Sequence, residues 1–185
     1  GIFIPLYDSS SWSMLTNGLD AAINNNDGAT LLMMADLGNS RNPDGTYEGN
    51  GGDAFMPINC MDYPVIGTID DWRAHAEEMA ELYPTFGQAI GYSNVTCAAL
   101  PYQSERVRGP IAAAGSAPIL VVGTTRDPAT PYEWSVAMAD QLEQGHLLTY
   151  DGDGHTAYGR GSACVDAAVD AFMIDGTIPD EGATC

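Results

Sequence analysis

Lysine is missing altogether, and basic charge is confined to six arginines, Arg41, Arg73, Arg106, Arg108, Arg126 and Arg160, scattered along 185 residues. Against them stand 25 acidic side chains, so the formal net charge is −19 with histidine neutral. Phosphate backbones are held mainly by clustered Lys and Arg, which excludes a nucleic-acid binder. An anionic membrane surface would repel the chain for the same reason. No run approaches the roughly 18 apolar residues of a membrane helix, so no span is expected. The opening GIFIPLYDSSSW lacks the basic start and cleavage site of a signal peptide. A glycine at position 1, with no initiating methionine, implies a processed chain or a piece of something longer.

The four cysteines, Cys60, Cys97, Cys164 and Cys185, show no C-x-x-C spacing and no nearby histidine pair. An even set without ligand spacing favours disulfides over zinc, the alternative being four buried free thiols; four cysteines allow three pairings. Low lysine, strong acidity and paired cysteines point to an extracytoplasmic protein, secreted or in the cell envelope. The chain is 45% hydrophobic and 17% charged, enough apolar material for one globular core. One domain, or one plus part of another, is expected.

The first 110 residues read as mostly helical. Trp12, Leu15, Leu19 and Ile23 form a helical stripe after a Ser9–Ser11 cap region, and Asp27 caps a second helix carrying Leu31, Met34 and Leu37 up to Gly38. Residues 39–54 are rich in Gly, Asn and Asp and predict an irregular loop. Phe55–Met61, a short apolar stretch containing Cys60, is expected to be extended. Thr68–Tyr83 predicts a helix with Trp72, Ala76, Met79 and Leu82 on one side, halted by Pro84.

Residues 111–185 are more orderly. Pro118–Gly123, PILVVG, is a continuous β-rich run of the kind buried on both faces of a parallel sheet. Thr130 as N-cap, Pro131 at the first helical position and Glu133 as capping-box partner predict a helix with Trp134, Met138 and Leu142 in its stripe, ended by Gly145. His146–Tyr150, HLLTY, is a second strand, and Ser162 caps a last helix carrying Val165, Ala168, Val169, Phe172 and Met173 to Gly176. Strand, helix, strand, helix with short loops predicts a parallel βαβα unit, hence an α/β fold.

In open α/β sheets the reactive groups sit just past the carboxyl ends of the strands. Asp127 follows the first strand and His155 follows the second, the order acid then histidine that closes an α/β-hydrolase triad. The acid would orient the imidazole and stabilise its protonated form, and the imidazole would take the proton of a nucleophile. Blander readings exist for each: Asp127 before Pro128 as a turn residue, and His155 as a solvated loop residue or, with Asp151 and Asp153, a cation site. Ser162 at the twelfth position, where a calcium loop carries a bidentate Glu, speaks against the last. His75 is expected on the surface beside Glu77 and Glu78, while His146 has no evident partner.

Residues Gly123–Pro131 match a G-x-x-D-x-x-T-P motif with one extra residue, and Gly152–His155 match G-x-G-H. The tail repeats a further pattern at Cys164-Val165-Asp166, Asp175-Gly176, Pro179 and Cys185, and Pro57–Asp62 is similar to an A-I-x-C-x-D segment with proline for alanine. On these residues the chain resembles the C-terminal half of the tripeptidyl aminopeptidase-like serine peptidases of the α/β-hydrolase superfamily. The resemblance implies the end of an α/β-hydrolase fold (111–185) preceded by a helical cap region (1–110). It also implies disulfides Cys60 to Cys97 and Cys164 to Cys185, a peptide substrate, no cofactor and no metal.

A serine nucleophile on a G-x-S-x-G elbow must precede the acid, and no complete match exists. Gly91-Tyr92-Ser93-Asn94-Val95 has the first glycine and the serine but valine for the last glycine, and no buried strand before it. The expectation is that nucleophile and oxyanion hole belong to an N-terminal hydrolase half outside this chain, which alone would be inactive. The resemblance implies an aminopeptidase, for which Asp62 and Glu105 are candidate partners of the substrate ammonium. An esterase or lipase on the same scaffold, or a non-catalytic domain derived from a hydrolase, are the alternatives.

Overall fold

The computed structural model describes every residue, Gly1–Cys185. Its regular elements are helices α1 (Trp12–Asn25), α2 (Ala29–Gly38), α3 (Gly51–Asp62), α4 (Ile69–Leu82), α5 (Gly87–Ile90) and α6 (Asn94–Ala98), strand β1 (Ile119–Arg126), α7 (Tyr132–Gln141), β2 (Gly145–Asp153) and α8 (Ala163–Asp175). No helix is long and apolar enough to cross a membrane. The chain divides into two compact units, one made of Gly1–Arg41 with Pro110–Cys185 and one of Asn42–Gly109. A boundary therefore falls at 109/110, but the first 41 residues belong to the same unit as the C-terminal segment.

In the first unit, β1 and β2 pair in parallel from Ile119 opposite Gly145 to Thr124 opposite Tyr150. Alternation sends Leu120, Val122, Leu148 and Tyr150 toward one face, where Leu148, Ala157 and the fully buried Val165 of α8 form the core with Ala168, Val169, Ala183 and Cys185. The opposite face receives α7, and Gly123 is what lets it approach. A Cβ at Gly123 would lie 2.8 Å from Ser135 Cβ and 3.0 Å from the Tyr132 ring. Tyr132 completes the seam with a hydroxyl contact to Thr149 Oγ1 at 2.7 Å.

The outer edge of β2 is covered by the tail. Thr149 N donates to Ala183 O at 3.0 Å and Cys185 N to Thr149 O at 2.8 Å, while the Cys164–Cys185 disulfide ties the tail to α8. The other edge of β1 has no strand partner, since the sheet has two strands. Ser162 caps α8 by accepting from Val165 N, and Gly176 ends it in the left-handed conformation, a glycine C-cap that satisfies the last carbonyls.

Three local expectations are corrected here. Of the four stripe residues of α1, Leu15 and Leu19 turn inward, whereas Trp12 and Ile23 are exposed. In α7 the stripe residues Trp134 and Met138 are exposed, and the helix ends at Gln141, so Gly145 begins β2. Thr130 does not cap α7: Pro131 occupies the N-cap position without a side-chain bond, because the Thr130 hydroxyl is spent on a carboxylate described below.

In the unit Asn42–Gly109, Phe55–Met61 is not extended but lies inside α3, with Pro57 in the helix. A short apolar run has no period that separates strand from helix, and here i to i+4 bonds begin upstream, at Asn50 O with Ala54 N. Buried Cys60 on α3 is joined to Cys97 on α6. A reciprocal capping box of Thr68 and Asp71 starts α4. The helix buries Ala76, and Gly87 and Gly91 allow the following segment to lie directly on its backbone. Ser93 sits between the short helices α5 and α6. No strand precedes it, so the partial elbow is not one.

Candidate active site

The site is built where β1 and β2 end. Up to Thr124 and Tyr150 the register is regular, but Arg126 then pairs with Asp153, leaving one extra residue in β2. Such a bulge re-aims the side chains beyond it, here the segment Gly154-His155. Gly154, at φ +104, takes a conformation that an L side chain rarely adopts. The neighbouring Thr156 is at φ +68, strained for a β-branched residue.

Asp127 and His155, 28 residues apart, meet: Nδ1 lies 2.9 Å from one carboxylate oxygen and 3.1 Å from the other. The Asp127 side chain is 4% exposed and that of His155 29%. Asp127 is saturated with donors. Oδ1 accepts from Ala129 N at 2.8 Å and Thr130 N at 2.9 Å, and Oδ2 from the Thr130 hydroxyl at 2.9 Å and Thr156 N at 3.4 Å. Burial by itself raises the pKa of Asp127. The backbone donors Thr130 and Ala129, then His155 and the Thr130 hydroxyl, outweigh it and hold the group below the ordinary carboxylate range. An ionised carboxylate has only acceptors, so the hydrogen of this bond sits on Nδ1.

Arg126 ties the two strand ends together. Its Nε is 2.7 Å from Asp153 Oδ1, Nη1 is 2.7 Å from Asp151 Oδ1, and Nη1 also reaches Thr125 Oγ1 at 3.2 Å. Thr125 Oγ1 donates to Asp151 at 3.0 Å. The two carboxylates weighed for a cation are thus both engaged by one guanidinium. No group of three or more His, Cys, Asp or Glu side chains is arranged to hold a metal ion.

The remaining candidates lie elsewhere. Asp62 ends α3 and pairs with Arg106 at 3.5 Å; Glu105, beside Arg106, is exposed. His75 contacts Glu78 at 3.7 Å on the exposed side of α4. His146 stands opposite Leu120 at the start of β2, with Nε2 buried and unpartnered. Sequence reasoning missed the part of Thr130, whose capping signature hid its bond to Asp127, and the bridging part of Arg126. The latter had a legible signal in the D-x-D spacing of Asp151 and Asp153 at the partner strand's end.

A parallel strand–helix–strand–helix unit with an acid after one strand and a histidine after the next is the C-terminal part of an α/β-hydrolase fold. A family model described as TAP-like protein matches residues 83–185, more than half of the chain, and the chain belongs to that family. It is 40% identical over 189 aligned residues to "Serine protease Hip1" of Mycobacterium tuberculosis (strain ATCC 25618 / H37Rv), an alignment covering 100% of this chain and 36% of the relative. "Carboxylesterase B" of the same organism is 37% identical over 188 residues, with 100% and 36% covered. "Tripeptidyl aminopeptidase" of Streptomyces lividans is 25% identical over 137 residues, 74% of this chain and 26% of that protein. The chain thus spans 36% of the length of the first two relatives.

Proposed function

We propose that the chain supplies the acid and the base of a serine hydrolase, Asp127 and His155, to a nucleophilic serine carried by another segment of the same protein. The observation that carries this is the bond between His155 Nδ1 and the buried Asp127 carboxylate, 2.9 Å, at the ends of adjacent parallel strands. With Nδ1 committed to the carboxylate, Nε2 takes the serine proton as the hydroxyl attacks a carbonyl carbon. Asp127 stabilises the imidazolium, and the same proton then passes to the leaving group.

Within this reading the protein is an extracytoplasmic exopeptidase that releases short peptides from free N-termini. Support comes from the relatives named as a serine protease and a tripeptidyl aminopeptidase and from two disulfides with no free cysteine. The helical unit 42–109 corresponds to the cap region, and Asp62, already a partner for a guanidinium, or Glu105 receives the substrate ammonium. The relative named as a carboxylesterase favours ester hydrolysis as a second reading, because an acid–base pair dictates acyl transfer and not the leaving group.

The test has two arms. The 185-residue chain treated with a fluorophosphonate probe should remain unlabelled, and labelling at any of its serines would overturn the assignment of the nucleophile to another segment. The longer protein carrying a G-x-S-x-G serine should cleave aminoacyl, peptidyl or ester chromogenic substrates. Full activity after His155→Ala in that protein would end the proposal, and the substrate panel separates peptidase from esterase.

A further inference from the structure

The histidine loop is held from a second side, by residues 4–8, which no sequence motif links to it. His155 N donates to Tyr7 O at 2.8 Å. The Tyr7 ring stands edge-on to the imidazole, with centroids 5.0 Å apart and an interplanar angle of 73°. The approach depends on glycine, since a Cβ on Gly154 would come within 2.8 Å of Tyr7 O. The next residue repeats the link: Arg160 Nη1 lies 3.3 Å from Asp8 Oδ2, and its Nε lies 3.4 Å from Thr156 Oγ1.

Tyr7 is itself held in place. It ends the 3-10 turn Ile4–Tyr7, which carries a buried Pro5 and closes with Asp8 N donating to Pro5 O at 3.3 Å. Ile4 lies against Gly38 at the end of α2, where an added Cβ would meet the Ile4 side chain. The turn therefore offers the loop a supported surface.

We propose that Tyr7 is a positioning residue for His155. This rests on the reading of His155 as the base. Asp127 determines which ring nitrogen carries the hydrogen, but contacts made at Nδ1 alone leave the imidazole free to swing about that atom. The Tyr7 carbonyl pins the loop backbone, and the Tyr7 ring closes one side of the imidazole, so the direction of Nε2 is defined before a nucleophile arrives. The contribution comes from the aromatic ring and not from the phenol hydroxyl, so phenylalanine should replace tyrosine without loss.

The experiment follows the His155 Nδ1 proton by NMR in the 185-residue chain with nitrogen-15-labelled histidine, its signal identified by its disappearance in His155→Gln. The wild type should show a low-field, slowly exchanging proton and a nuclear Overhauser contact between the Tyr7 and His155 rings. Tyr7→Phe should keep the proton. In Tyr7→Ala it should exchange about threefold to tenfold faster, the loss of one edge-to-face pair. Tyr7→Leu, which keeps apolar volume, serves if the alanine variant fails to fold. Unchanged exchange in a folded Ala or Leu variant, or no contact between the two rings in the wild type, overturns the proposal. Asp127→Asn, run alongside, separates the two ideas. If it keeps the signal, the acid–base reading itself fails; if it loses the signal while Tyr7→Ala does not, only the part of Tyr7 fails.

Discussion

Arg126 and Asp153 are paired twice, as backbone partners just past the irregularity in the ladder and as an ion pair with Nε 2.7 Å from Oδ1. Each is one or two residues from a member of the candidate pair, so the guanidinium couples the place where Asp127 begins to the place where His155 begins.

Substituting Arg126 should loosen that coupling. Arg126→Met leaves Asp151 and Asp153 facing each other without a counter-charge, and Arg126→Lys keeps the charge but loses the fork. Stability by denaturant titration is expected in the order wild type, Lys, Met. The Arg126 side-chain bond is the first cause that lowers the Asp151 pKa, followed by Thr125. A lowered native pKa contributes stability that is present above the unfolded value and is lost as pH falls through the native one. The gap between wild type and Arg126→Met should therefore be full at neutral pH and shrink in acid. A gap independent of pH would contradict this account.

Asp127→Asn keeps the shape and removes the charge. The imidazole loses the acceptor that dictates its tautomer, so in the longer protein with its serine kcat should fall roughly 10³- to 10⁴-fold, with KM little changed. Because Asp127 is held below the ordinary carboxylate range, its contribution to folding is present above the unfolded pKa and disappears only as pH falls through the lower native value. Acid titration of stability should thus be flatter in the Asn variant than in wild type.

Gly123→Ala should be destabilising although β1 is apolar. The new Cβ would meet Ser135 Cβ at 2.8 Å, and forcing a methyl into a packed seam typically costs about 1 to 3 kcal/mol. Gly109→Ala is the control: the residue is exposed outside any helix or strand and its added Cβ meets nothing within 4 Å, so its effect should stay within about 0.5 kcal/mol. Equal midpoints for the two variants would refute the tight seat of α7.

Removing the Cys164–Cys185 bridge, with its separation of 21 residues, should cost roughly 3 kcal/mol by freeing the unfolded chain. Hydrogen exchange at Cys185 (or its serine replacement) should rise first, since that N–H bonds to Thr149 O on the edge of β2. Loss of protection starting elsewhere would show that the tail holds its place without the bridge.

The sequence by itself determined what depends on neighbours along the chain. The apolar run of Ile119–Gly123, the capping serine and terminal glycine of α8, the capping start of α4 and the succession strand, helix, strand, helix are all short-range patterns. They sufficed to bring Asp127 and His155 to one edge of a parallel pair, because in such a unit consecutive strands end on the same side. Only the tertiary structure decided which helix faces are covered, and so it turned Trp134, Met138, Trp12 and Ile23 outward: a period of 3.6 marks a stripe but does not supply its partner. It also made a helix of Phe55–Met61, took Thr130 from its cap to a carboxylate, gave Arg126 two acids to bridge and set Tyr7 against His155. Each depends on which groups meet in space, and bonds between residues as far apart as Tyr7 and His155 leave no periodic trace in the chain.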